Sequence, residues 1–133
     1  MRIMLDTNIL ISSIVFKSKL MDDMIQLIAA RYSLVLCSYV IDELHDVANK
    51  KFSTKVYDLE KFLFELPFEF IYTPNILPKH DLFKIRDKCD EKVLFSAILA
   101  DVDILITGDK DFNDIDIERP EILTPSNFLE KYS

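Results

Sequence analysis

The stretch DEKVLFSAILADVDILITGDKD, Asp90 to Asp111, decides the fold. Val93, Leu94, Ala97, Ile98 and Ala100 recur at helical spacing, with small residues that permit close packing, so the stretch opens as a buried helix. Asp90 stands where an N-cap is wanted, because a carboxylate there meets unpaired amides and the positive end of the helix dipole. Ile104 to Thr107 then form an unbroken β-favouring run that stops at Gly108, the only glycine of the chain. An apolar helix followed at once by an apolar strand belongs in a parallel α/β sheet. Gly108-Asp109-Lys110-Asp111 places two further acids just past the strand's carboxyl end.

Working outward, Arg2 to Leu5 reads as a short strand ending in Asp6-Thr7-Asn8, followed by an apolar stretch from Ile9 to Phe16. Leu20, Met21, Met24, Ile25, Leu27 and Ile28 form an amphipathic helix ending near Arg31, and Ser33 to Cys37 is the second strand. Ser38 suits an N-cap for a helix whose stripe is Val40, Ile41, Leu44, Val47 and Ala48. At about 100° per residue, Asp42 and Asp46 fall opposite that stripe while Glu43 lies at its margin, where it can be half-buried. A helix with Leu59, Phe62, Leu63 and Leu66 leads to a third strand, Phe68 to Tyr72. Thr73 to Cys89 reads as a loop. Beyond the acidic loop Asp111 to Arg119, a short strand at Glu121 to Leu123 precedes a helix that Ser126 caps and that ends at Tyr132.

Strands alternating with helices imply a mostly parallel sheet flanked by helices. In such a sheet, strand ends and helix starts share one edge, where ligands bind at a switch in strand order. Asp6, Glu43, Asp90 and Asp109 all come from segments that meet at this edge.

The 133 residues suit one domain, 1–133, with room for a real core. Hydrophobic residues make up 50% and charged residues 29%, a globular balance. No apolar run spans a bilayer and no signal-peptide layout is present, so a cytoplasmic protein is expected. Cys37 and Cys89 lack metal-binding companions and are expected as free thiols. The net charge of −7 opposes general nucleic-acid affinity. The 23 acids, less the four at the edge, still outnumber the 16 bases, so any nucleic-acid substrate must be held by local contacts and metal.

Like charges brought together are costly: at 4 Å two of them repel by about 4 kcal/mol at an effective dielectric of 20. Protonation, basic partners or a hard divalent cation must compensate. With no Gly-rich phosphate loop and two histidines, one or two Mg²⁺ or Mn²⁺ ions are the best candidates, and such a site activates water for displacement at phosphorus. One Asp at a strand end is usually a turn former or a cap. The coincidence of four is what carries the reading.

LDTN (Leu5 to Asn8), the spacing of Ser38, Glu43 and Leu44, and the run from Asp90 to Phe112 together resemble the PIN domain, over essentially the whole chain. That family includes metal-dependent ribonucleases and the VapC-like toxins of toxin–antitoxin pairs. The resemblance implies a three-layer α/β/α fold with a central parallel sheet, and RNA hydrolysis with Asp6, Glu43, Asp90 and Asp109 holding Mg²⁺ or Mn²⁺. The third acid falls on Asp90 or Glu91, and Asp90, followed by an acid and Lys92, fits the toxin-like group better. Asp111 is placed as a supporting acid, and Asn8 and Ser38 as residues orienting ligands or water. The resemblance further implies RNA as substrate, 5′-phosphate products, and a small basic antitoxin whose tail covers the acidic edge. A homodimer through Leu20 to Ile28 or Leu59 to Leu66 is also expected.

Other features have plainer readings. His45 and His80 suit surface or packing roles, and the phenylalanines from Phe62 to Phe70 suit core and dimer contact. Lys50, Lys51 and Lys55 are candidate RNA contacts, although lysines at helix ends are usually just solvated. A haloacid-dehalogenase-like phosphatase requires a second Asp where this chain has Asn8, and a receiver-like domain is weakened likewise. The stronger alternative is a PIN-like RNA-processing or binding module without a toxin role.

Overall fold

The structure, a computed structural model, describes residues 1–75, 88–112 and 115–133, and for Lys88, Cys89 and Asp90 the helical backbone alone. The sequence readings of His80, of the Cys89 thiol and of the loop over residues 76–87 lie outside the described residues, whereas Lys88 and Cys89, read as the end of that loop, are already helical. The chain runs β1 (Arg2–Leu5), α1 (Thr7–Ile14), α2 (Lys19–Arg31), β2 (Ser33–Cys37), α3 (Ser38–Lys51), α4 (Val56–Glu65), β3 (Glu69–Ile71), α5 (Lys88–Leu99), β4 (Ile104–Ile106), β5 (Glu121–Leu123) and α6 (Pro125–Tyr132).

The strands form one sheet in the order β3-β2-β1-β4-β5, and every neighbouring pair is parallel. Ile3 of β1 lies between Leu34 of β2 and Ile104 of β4, which makes β1 the axis of the sheet. Its residues Ile3, Met4 and Leu5 are fully buried, as are Leu105 and Ile106 of β4. Unbroken apolar runs are what strands covered on both faces require. The chain steps from β1 to β2 to β3 toward one edge of the sheet and returns through α5 to β4 on the other side of β1. The result is the three-layer α/β/α arrangement. Among the described residues no helix is long and apolar enough to cross a membrane.

Three helix starts differ from the sequence reading. Ser38 is already helical, and Cys37 holds the N-cap position without a side-chain bond; the Ser38 hydroxyl instead accepts the amide of Thr73 at 2.9 Å. α5 begins at Lys88, so Asp90 is its third residue rather than its cap. α6 is capped by Thr124, which accepts the amide of Asn127 at 3.1 Å. Pro125, with no amide hydrogen to satisfy, takes the first helical position and moves the start one residue ahead of Ser126.

α5 ends without a glycine. Val102 N donates to Ala97 O (3.2 Å) and Asp101 N to Ile98 O (3.0 Å), the paired bonds of a Schellman turn. Asp101 occupies the left-handed position with φ 54°, which Asp tolerates better than most residues, and Arg119 Nε binds its carboxylate at 2.7 Å. The chain thus reverses into β4 within a few residues.

The segments considered for dimer contact spend most of their apolar side chains on the core. Met24, Ile25, Ile28, Leu59 and Leu66 are buried, whereas Leu20 and Phe64 are exposed. At the far end of the chain, Phe128 is fully buried, edge-on to Tyr32 at 6.3 Å and stacked on Tyr132 at 5.5 Å. Tyr32 also donates to the carbonyl of Tyr132 at 3.0 Å. Phe128→Ala is therefore expected to lower unfolding free energy by about 3–5 kcal/mol, read from urea denaturation.

Candidate acidic active site

Asp6 directly follows β1 and caps α1. Its Oδ1 accepts the amide of Ile9 at 3.2 Å, and its Oδ2 accepts the hydroxyl of Thr107. Asp6 N in turn donates to Ile106 O at 3.3 Å, so one residue joins β1, α1 and the end of β4. The Thr107 oxygen also accepts the amide of Asp109 at 3.1 Å, and Asp109 Oδ1 accepts the amide of Asp111 at 2.9 Å. Local bonds thus lead from Asp111 through Asp109 and Thr107 to Asp6.

Burial pushes the Asp6 carboxyl up from 3.8 to about 6 against the opposing pull of the Thr107 and Ile9 hydrogen bonds. The charges of Asp109 and Glu43 push it the same way, which puts these three acids within electrostatic reach of one another. Glu43 is half-buried in the second turn of α3, where Tyr39 Oη donates to its Oε2 at 2.6 Å.

The remaining candidates are less tightly tied to this group. Asp90 lies in the first turn of α5, and its side chain lies outside the described residues. Glu91 and Asp111 are half-buried, and Asn8 is exposed in the first turn of α1. Ser38 is engaged by Thr73. Lys50 and Lys51 are exposed at the far end of α3, about 10 Å along the axis from Glu43, and Lys55 pairs with Asp58 at 3.8 Å. The lysines are therefore not drawn to the acids. His45 Nδ1 is bonded to the carbonyl of Ile41 at 2.9 Å, a packing role within its own helix.

The sequence reading passed over four residues that hold this edge together: Thr107, Tyr39, Thr73 and Ser96. Two left a trace, Thr107 as the lone hydroxyl closing an aliphatic strand and Tyr39 as the residue four before Glu43 on a helix. Beside the acids, a cavity of about 570 Å³ is lined by Thr107, Asp109, Ile115, Leu123, Thr124 and Asn127, among others. Among the described residues, a Cβ on Gly108, between Thr107 and Asp109, would meet nothing within 4 Å, and its φ is not left-handed.

The donor chemistry fits a hard divalent ion. The buried Asp6 carboxyl is raised chiefly by its burial and further by two like charges, and among the described residues the buried Thr7 hydroxyl next to it has no hydrogen-bond partner. Among the described residues no group of three or more His, Cys, Asp or Glu is placed to hold a metal ion, so Asp6, Glu43 and Asp109 do not form a complete ligand set by themselves.

A family model described as PIN domain matches residues 2–111. Among solved structures, the chain is similar to a chain in the crystal structure of VapBC2 from Rickettsia felis bound to a DNA fragment from their promoter. The two are 21% identical, the match covers 92% of this chain and 97% of that one, and the TM-score is 0.67. At this identity the likeness speaks to the fold alone. None of the curated proteins matches.

The raised Asp6 carboxyl makes stability depend on pH. The unfolded chain releases the proton near 3.8 and the folded chain near 6, so the folded state binds more protons in between. Its contribution is complete below the lower value and is lost as pH rises through the upper one, by about 3 kcal/mol. Asp6→Asn, nearly isosteric and uncharged, should be more stable than wild type at pH 8 in chelated buffer by about 1–3 kcal/mol. The difference should shrink toward zero at pH 4. A gap of equal size at both pH values would show that Asp6 ionisation is not its source.

Proposed function

We propose, because this chain belongs to the PIN-domain family, that it is a Mg²⁺- or Mn²⁺-dependent endoribonuclease and the toxin of a toxin–antitoxin pair. The observation that carries the reading is the buried Asp6 carboxylate at the end of the central strand, raised chiefly by its burial and further by the nearby charges of Asp109 and Glu43. Carboxyls displaced in this way cluster at functional sites.

Asp6, Glu43 and Asp109, with Asp90 from the start of α5, are the residues that would hold one or two ions. The bound metal supplies Lewis-acid stabilisation of the phosphate and lowers the pKa of the attacking water. The chain's own groups do the rest. Thr107 and the Ile9 amide fix both oxygens of Asp6, and the Asp111 amide fixes Asp109 Oδ1, so two carboxylates are held before any ion arrives. Water adds to phosphorus and the P–O3′ bond breaks, leaving 5′-phosphate and 3′-hydroxyl ends. Asp111 would serve as a supporting acid, and Glu91 is the alternative to Asp90 as the third ligand.

The partner follows from charge. A net charge of −7 and an acidic pocket favour a basic peptide, since a guanidinium makes bidentate contact with the carboxylate oxygens that would otherwise hold metal. Such a tail inhibits by excluding both ion and substrate. The VapBC2 likeness supports this reading through its fold. A homodimer, if formed through the segments named above, is left Leu20 and Phe64 as its exposed apolar contacts.

In an RNA cleavage assay, Asp6→Asn should lower the rate by about 10²-fold or more, and chelation should abolish cleavage. Equal rates for wild type and variant would identify a contaminating nuclease. Saturating Mn²⁺ should also raise the melting temperature, by the equivalent of about 2.7 kcal/mol at a hundredfold excess over Kd, and less so in Asp6→Asn. Co-expression with the adjacent reading frame tests the partner. A harmless protein with no basic partner would favour a stand-alone RNA-processing or binding module.

A further inference from the structure

Glu43 is the acid with the least backbone support. It stands on a helix rather than at a strand end, and its three rotatable bonds leave the carboxylate free to swing unless another group holds it. Tyr39, one turn earlier on the same face, provides that hold through the 2.6 Å bond from its Oη to Glu43 Oε2. Tyr39 is itself held. Its amide donates to Thr73 Oγ1 at 3.1 Å, and the Lys92 ammonium of α5 lies 5.1 Å from the centre of its ring, within cation–π range.

Thr73 ties these pieces together. Its amide donates to Ser38 Oγ at 2.9 Å, and its hydroxyl is in hydrogen-bond contact with the Ser96 hydroxyl of α5 at 3.0 Å. Ser96, fully buried, also donates to the carbonyl of Lys92 at 2.8 Å. One threonine just beyond β3 therefore fixes the first turn of α3, and with it Tyr39, against the helix that begins beside Asp90. We propose that Tyr39, set by Thr73, is a positioning residue that fixes one oxygen of Glu43 and leaves Oε1 to a divalent cation. This deepens the metal-dependent reading of the site and rests on it.

An outer partner of a metal ligand is worth about 10–100-fold in metal affinity. Titration of the intact chain with Mn²⁺ by calorimetry, together with metal-free melting, tests the role. Tyr39→Phe keeps the ring over which Lys92 lies and removes only the hydroxyl. It should weaken Mn²⁺ binding about tenfold while the metal-free melting temperature stays close to wild type. Thr73→Val should weaken binding comparably, and Thr73→Ser, which keeps the hydroxyl, should restore it. Wild-type affinity in Tyr39→Phe, with binding lost in Glu43→Gln, would overturn the positioning role while leaving Glu43 as a ligand. No Mn²⁺ binding by wild type, or none lost in Glu43→Gln, would overturn the metal reading of Glu43 and this proposal together. If Tyr39→Phe melts far below wild type without metal, the Thr73→Val and Thr73→Ser pair decides, since equal affinities in those two also overturn it.

Discussion

The structure depends on how the chain leaves its central strand. At the end of β1 the backbone must turn into α1, and the residue that makes the turn is an acid buried to 6% exposure. Burying a carboxylate is tolerable only if hydrogen bonds replace its water. The Ile9 amide comes from α1 and the Thr107 hydroxyl from beyond β4. The group that is costliest to bury thus becomes the junction of three elements. The same bonds that make Asp6 bearable hold it still, which is the condition a preorganised site needs.

The topology explains why so many acids meet there. In a parallel sheet with β1 beside β4, the ends of these strands emerge side by side, and Asp6 and Asp109 share Thr107 between them. α3 leaves β2 in the neighbouring position and brings Glu43. Each acid has a local reason to exist as a cap, a turn residue or a helix-margin group. Their electrostatic coupling arises only because crossovers return every strand in one direction.

The layers and strands were legible in the sequence because their signals are local and strong. Ile104 to Ile106 and Ser33 to Cys37 are apolar runs too short for helices, and the stripe of α3 has one period. The helix starts were less so. Ser38, Asp90 and Ser126 all looked like caps by residue type, but a cap is chosen by backbone geometry: Pro125 moved one start, and at Ser38 a distant amide claimed the hydroxyl. The hydrogen-bond partners of the site were hidden for a related reason. Thr73 reaches Ser38 and Tyr39 across 35 and 34 residues of sequence, and no periodicity encodes a bond of that span. Asp6, by contrast, could be singled out as an acid at a strand end, while the displacement of its carboxyl depends on surroundings that only the fold assembles.

Gly108 gives this edge a property of another kind. Glycine is usually kept for a conformation other residues avoid, yet here the backbone is ordinary and no described residue stands within 4 Å of the missing Cβ. Position 108 is therefore a vacancy at the rim rather than a constraint on the turn. Most changes at this edge remove a working group, whereas here a side chain can be added. A cysteine installed at 108 gives an attachment point for a spin label or fluorophore one residue from Asp109. Whether an added ion, nucleic acid or peptide occupies the acidic edge then becomes something that can be watched directly in the folded protein.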